Sequence, residues 1–576
     1  MVKTHKDNGA RLGAVALGFL ALALIIVARF FWLQVVEHDY YVLFAENTHE
    51  IYQKLHPERG SMWWQDTRTK EQFPAAINKE FYLVYAVPRE IPPSDLASTT
   101  AKVMTILGAG YASSTEIITS KLGQANSKYT PLAKKVSQDV ANQLKAAGLK
   151  GIYTTAQAFR FYPEDGLAGN VLGFVGSDSQ GNLVGRYGLE GYFEGQLAGA
   201  PGFVAGEKGA LGSWITLGAK SSVAARNGAD LVLTIDRTLE FKACERLRQG
   251  MEEYKAKSGA LVLMNPDTGA ILALCSMPDF DPNNYSKVAD ANAYNNTTIF
   301  TPYEPGSVFK GITMAAGLDL NLITPATTYT DPCELVLNGY HIRNAELKCY
   351  QKQTMTQVLE KSINTGAAWV EDKVGNENFF SYVDKFGFGQ KSGVTLATEA
   401  PGDISSLAKS GKIFGANGSF GQGITATPIQ LAAAYGAIAN GGKLMKPYVV
   451  DNVLYPNGRK DRTDLKMTEQ VISERASKLL TGMLVSVVEN HYHSAKIPGF
   501  YVAGKTGTAQ IPEHGRYSSE RTNHTFAGFA PASHPRFVLV VKYEEPARQW
   551  AESTALPVFK DVMQFALGYY GVPNER

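Results

Sequence analysis

Apolar residues follow three rhythms along this chain, and each predicts a different element. The first is unbroken. Residues 12–28, "LGAVALGFLALALIIVA", run 17 positions without a charge, and "FFWLQVV" follows a single Arg29. About 20 apolar residues span a bilayer as a helix, so residues 12–36 are expected to form a transmembrane anchor with Arg29 snorkelling near one face. The second rhythm is the short apolar run of a strand, as in "FYLVYAVP", "GALVLMNP", "GAILALCSMP", "TFAGFAP" and "RFVLVVKYEEP". The third is helical spacing, clearest in "RTLEFKACERLRQGMEEY" and "ALPVFKDVMQFALGYYG".

Order and punctuation turn these elements into domains. Residues 37–225 mix short strand-like runs with helical stretches, and glycines crowd 176–218. The pattern changes at "GADLVLTID", where an apolar strand at 231–235 leads into a helix. "GALVLMNP" and "GAILALCSMP" meet at a Pro-Asp-Thr-Gly turn, residues 266–269, and so predict an antiparallel hairpin. Strands at both ends with helices between them predict one large α/β domain over 226–576. Residues 37–225 form a separate domain ahead of it, and residues 1–11 a cytoplasmic tail.

Charge refines this picture in one place. The 576 residues balance to a formal +2, which gives no global field for nucleic acid. Locally, Lys3, Lys6 and Arg11 precede the apolar run, and Glu37 and Asp39 follow it. That asymmetry places the N-terminus in the cytoplasm and the body outside. The alternative, a cleaved signal peptide, is disfavoured by the length of the run and by bulky aromatics where cleavage would fall. Four cysteines are too few for a disulfide scaffold or a zinc cluster. Cys333 and Cys349 flank a turn-rich segment and could pair in an oxidising compartment, closing a loop worth roughly 3 kcal/mol; two unpaired thiols are the alternative. Cys244 and Cys275 lie in apolar contexts and are expected to be buried small hydrophobes.

Two stretches carry candidate chemistry. In "YEPGSVFKGITMAAGLDL", Pro305-Gly306 precedes a predicted helix that is apolar on most sides and whose only cation is Lys310. Ser307 and Lys310, three apart, share one face of its first turn. Burial and the positive helix end both disfavour an ammonium there, so Lys310 can accept the proton of Ser307. A second Ser-x-x-Lys, Ser406 to Lys409, sits in a polar run and is expected to be exposed and inert. The other stretch, "GFYVAGKTGTAQIP", fits the text of a P-loop, G-x-x-x-x-G-K-[ST]. Its context does not fit. No buried strand precedes Gly499, and Pro512 follows where a helix should start. On a strand, Lys505 and Thr506 would instead present a cation and a hydroxyl to a carboxylate, with Gly507 leaving room for a close approach. Between the two lies Ser362-Ile363-Asn364, at the junction of two helical runs, where Asn364 or Thr365 could cap the second. The histidines show no metal-ligand spacing.

Ser307-x-x-Lys310, Ser362-x-Asn364 and Lys505-Thr-Gly occur in the order of one signature set. On these motifs the chain resembles the class B penicillin-binding proteins, the monofunctional peptidoglycan D,D-transpeptidases. The likeness extends to "PERG" (57–60), "RFYPEDGLAGNVLGFVG", "GLEGYFEGQLAGAPG" and "GSFGQGITATPIQLAAAYGAIANGG". Met62-Trp63-Trp64-Gln65 departs from the acidic-basic turn usual after "RG" in that family. "EPGSVFK", and a last helix close to the end, look more like the division branch.

The resemblance implies a transmembrane helix, an elongated pedestal (dimerisation-type) domain over 37–225 and a transpeptidase domain over 226–576 with an antiparallel sheet flanked by helices. It implies Ser307 as nucleophile, Lys310 as base and Ser362 as proton relay. Asn364, Lys505, Thr506, Gly507 and Thr508 would bind substrate, with backbone N–H groups of Ser307 and Thr508 as the oxyanion hole. It implies no cofactor or metal. Its partners would be stem peptides ending in D-Ala-D-Ala, an acceptor amine, β-lactams as inhibitors, a SEDS-family glycan polymerase and other divisome membrane proteins. The competing readings are a hydrolase on the same fold and a non-catalytic scaffold or penicillin sensor.

Overall fold

The computed structural model describes residues 7–32, 34, 50–111, 113–164, 166–207, 220–337, 339–513 and 515–576. Lys3, Lys6, Glu37 and Asp39, and part of the expected anchor beyond residue 32, lie outside the described residues. The chain divides into two compact units, one of Met1–Glu58 with Gly199–Asn227, the other of Arg59–Ala198 with Gly228–Arg576. The first contains the helix Asp7–Phe31 and a three-stranded antiparallel sheet of Glu50–Leu55, Gly202–Glu207 and Lys220–Val223. Leu17, Phe19, Leu20, Leu24 and Ile25 on that helix are all more than half exposed. Among the described residues, no helix is long and apolar enough to cross a membrane.

The second unit holds two large sheets. In one, the strand Met62–Gln65 pairs antiparallel with Gln72–Ala86 and parallel with Asp230–Leu233, which pairs in turn with Val450–Leu454. The departure at 62–65 therefore has a structural use. Its alternation sends Met62 and Trp64 fully into the core while Trp63 and Gln65 stay half-buried. The family-like stretches "PERG", "RFYP" and "GLEGYF" converge on one buried carboxylate. Glu190 takes Arg59 Nε at 2.7 Å, Arg160 Nε at 2.6 Å and the Tyr162 hydroxyl at 3.0 Å. Burial opposes the charge on Glu190, but the two guanidiniums outweigh it and hold the carboxyl below its ordinary pKa.

The other sheet positions the site. Its strands are β1 (Ser258–Met264), β2 (Ile271–Met277), β3 (Ala503–Glu513), β4 (Arg516–Ala530) and β5 (Phe537–Glu544), in the order β2-β1-β5-β4-β3. Every pairing is antiparallel. β1, β2 and all but the last residue of β5 are buried, which explains why they read as continuous apolar runs instead of alternating ones. Helices α1 (Arg237–Tyr254), α2 (Lys310–Asp319), α3 (Pro428–Ala439), α4 (Glu474–Asn490) and α5 (Ala555–Tyr569) share its hydrophobic core. β3 is an edge strand.

Cys244 and Cys275 correct an expectation. They are buried, but bonded to each other across α1 and β2, with Cα atoms 5.3 Å apart. Two apolar-looking positions 31 residues apart meet only because α1 packs on β2. Cys333 and Cys349 are also joined, with Cα atoms 4.6 Å apart.

Candidate active site

Ser307 lies in a single 3-10 turn, Gly306–Phe309, and Lys310 begins α2. In a 3-10 turn side chains three apart eclipse, so the spacing of serine and lysine works more directly than α-helical geometry would give. Gly306 has φ +61°, which favours glycine, and its N–H donates to Gly421 O at 3.1 Å. Ser307 is half-buried, while Lys310 has no exposed surface. The Ser307 hydroxyl makes no hydrogen bond among the described residues.

Lys310 Nζ donates to Ser362 O at 2.5 Å, Ser362 Oγ at 3.2 Å and Asn364 Oδ1 at 2.7 Å. Burial pushes its pKa well below the ordinary lysine value, and the nearby Lys505 charge adds to the effect. Lys505, also fully buried, reaches in from β3 and donates to the same Ser362 Oγ at 3.0 Å. Burial lowers its pKa to about 7 against the pull of Glu552. Two amines thus meet at one hydroxyl, and Ser362 itself sits at φ +54°, a costly conformation for a side-chain-bearing residue.

The β3 residues divide by strand alternation. Gly507 faces the Gly306–Phe309 turn so closely that a Cβ would lie 2.8 Å from Pro305 O and 3.2 Å from Val308 Cγ1. Thr508 is half-buried, and its hydroxyl oxygen accepts the Ala551 N–H at 3.1 Å, which leaves its own proton to donate. Thr506 is 6% exposed and donates to the Tyr492 hydroxyl at 2.7 Å. It would have to change partner to meet a carboxylate.

The expected cap of the second helix is different in the structure. Neither Asn364 nor Thr365 caps Asn364–Val374, and Ile363 at the N-cap makes no side-chain bond. The acceptor comes from 20 residues away: Asn344 Oδ1 takes the N–H groups of Asn364 at 3.0 Å and Thr365 at 3.2 Å. Asn364 is freed to face Lys310. In the second serine–lysine pair, Ser406 Oγ donates to Gly423 O at 2.5 Å and Lys409 is exposed.

The sequence matches the penicillin binding protein transpeptidase domain over residues 259–564, more than half of the chain. The chain belongs to this family. A penicillin-binding protein dimerisation domain matches residues 54–233, which completes the class B arrangement. This penicillin-binding protein is 33% identical to stage V sporulation protein D of Bacillus subtilis over 98% of its own length and 86% of that protein's. It is 27% identical to the peptidoglycan D,D-transpeptidase FtsI homolog of Mesostigma viride over 98% of its length and 96% of the relative's. In fold it is similar to penicillin binding protein 3 of Mycobacterium tuberculosis, solved with aztreonam. The TM-score is 0.69 at 24% identity, over 91% of this chain and 98% of the other.

Three contributors to the candidate site carry no local sequence signal: Asn344, Tyr492 and the Ala551–Ser553 turn. Each acts through a contact made by a distant segment. Only a pairing map could have found them.

Proposed function

We propose that this chain cross-links peptidoglycan stem peptides by serine acyl transfer, with Ser307 as nucleophile. The carrying observation is that Lys310, a fully buried amine with a strongly lowered pKa, lies one 3-10 turn from Ser307 and bonds to Ser362 and Asn364. Ser307 attacks the carbonyl between two terminal D-alanines, and its proton passes to Lys310. Ser362 relays a proton to the departing D-alanine amine. Backbone N–H groups of Ser307 and Thr508 stabilise the oxyanion, Lys505 and Thr508 hold the terminal carboxylate, and the second N–H of the Asn364 amide binds the donor peptide. An amine of a second stem then attacks the acyl-enzyme and regenerates the serine hydroxyl.

The exposed apolar face of Asp7–Phe31 supports a role as membrane anchor for an extracytoplasmic body. We infer a septal role beside a SEDS-family polymerase from the resemblance of "EPGSVFK" to the division branch. External protease on spheroplasts should remove the body and leave an N-terminal tag protected. Incubating purified protein with a donor peptide and an acceptor amine tests the chemistry. A cross-linked product that disappears in Ser307→Ala is expected, whereas free D-alanine without cross-link would make the chain a hydrolase, and no turnover would leave a scaffold.

A further inference from the structure

A polar hub lies behind the Ser-x-Asn motif. Asp331 and Asn344 are 6% and 4% exposed, and they bond to each other through Asn344 Nδ2 and Asp331 Oδ2 at 2.9 Å. Asp331 also accepts the backbone N–H of Cys333 at 3.0 Å and of Tyr350 at 2.7 Å, and the Thr365 hydroxyl at 2.7 Å. An ionised carboxylate only accepts, so it dictates which end of the Asn344 amide faces it. The amide nitrogen is drawn to Asp331, and Oδ1 is aimed at the start of the helix Asn364–Val374.

The neighbouring residue completes a clamp. Arg343 O accepts Asn364 Nδ2 at 2.9 Å, which turns Asn364 Oδ1 to Lys310 Nζ at 2.7 Å. Asn344 Oδ1 thus fixes the backbone of Asn364, Arg343 O fixes its amide, and together they supply Lys310 with one of its three acceptors. Nothing in the local sequence around Ser362 provides this.

We propose that Asn344, oriented by Asp331, is a positioning residue for acyl transfer: it holds Asn364 so that the Asn364 carbonyl oxygen faces Lys310. The inference rests on the acyl-transfer reading above. Loss of β-lactam labelling in Ser307→Ala tests that reading, while the Asn344 variants test this one.

Tyr329, Tyr350 and Thr365 pack around the hub, and Lys310 faces it through Asn364. Arg343 and Lys348 are committed to Glu334 and Glu346. Asn344→Ala should slow β-lactam acylation by about a hundredfold, the scale expected when a catalytic group is misplaced by an ångström. Losing an acceptor for the Lys310 ammonium lowers that lysine's pKa, so the acid limb of the acylation profile should move to lower pH. A normal rate, or a slower rate with the acid limb unmoved, overturns the proposal.

If Asn344→Ala does not fold, Asn344→Asp decides. It keeps an acceptor for the helix but sets two carboxyls against each other, so one must hold a proton for the clamp to survive. Its acylation rate relative to wild type should fall as pH rises through the second ionisation of that pair. A ratio independent of pH overturns the proposal.

Discussion

Lys505 offers a measurement of how strongly the site resists a charge of its own. The side chain is fully buried, and burial, opposed by the charge of Glu552, takes its pKa from 10.5 to about 7. That drop corresponds to roughly 5 kcal/mol against the charged form. A carboxylate entering the cleft must offset it, and can do so only where the free enzyme already carries the proton. Second-order acylation reports the ionisation of free enzyme. With a pKa near 7, about nine-tenths of Lys505 is charged at pH 6 and about one-tenth at pH 8. Lys310 must be neutral to act and pulls the profile the other way. Comparing a β-lactam with its own methyl ester on the same enzyme cancels that effect. The ratio of acylation rates, carboxylate to ester, should fall about tenfold from pH 6 to pH 8. In Lys505→Arg, whose guanidinium stays charged throughout, the ratio should be flat. A flat ratio in the wild type would refute the reasoning, because it would mean the buried ammonium keeps an ordinary pKa.

The two serine–lysine pairs should separate by environment: intact-mass spectrometry is expected to find one β-lactam adduct in wild type and in Ser406→Ala, and none in Ser307→Ala. Lys310→Ala should stay folded but acylate about 10²–10⁴-fold more slowly, the usual cost of losing a general base, as stopped-flow labelling would show. Gly507→Ala drives a methyl to 2.8 Å from Pro305 O and should cost about 1–3 kcal/mol in a denaturant melt, with slower acylation because the nucleophile turn must shift. Cys244→Ala opens a bridge across a sequence separation of 31 and should cost about 3–4 kcal/mol by chemical denaturation; an unchanged midpoint would mean the two thiols are not joined.

Sequence carried the parts of this molecule that depend on neighbours along the chain. The hairpin at 258–277, the strand context of Lys505 and the buried surroundings of Lys310 are all local, and each appears where its pattern predicts. What stayed hidden depends on partners brought together by folding. Cys244 and Cys275 looked like ordinary apolar positions because burial and bonding leave the same local trace. Asn364 looked like a cap because asparagine at a helix start usually is one; here Asn344 takes that task and releases Asn364 for Lys310. Residues 37–225 read as a body of their own; within them, Arg59–Ala198 share a compact unit with Gly228–Arg576, and Met62–Gln65 pairs parallel with Asp230–Leu233, a contact that no local pattern announces.

β3 lies at the end of its sheet, with β4 on one side and, among the described residues, no strand on the other. Every second amide and carbonyl of such a strand is left for an incoming extended chain to complete. Recognition of that kind is addressed to the peptide backbone, which all stem peptides share whatever their side chains. The same openness would welcome any stray strand, a hazard that soluble proteins usually avoid. A variant that blunts the edge with proline is therefore expected to lose binding of an extended peptide.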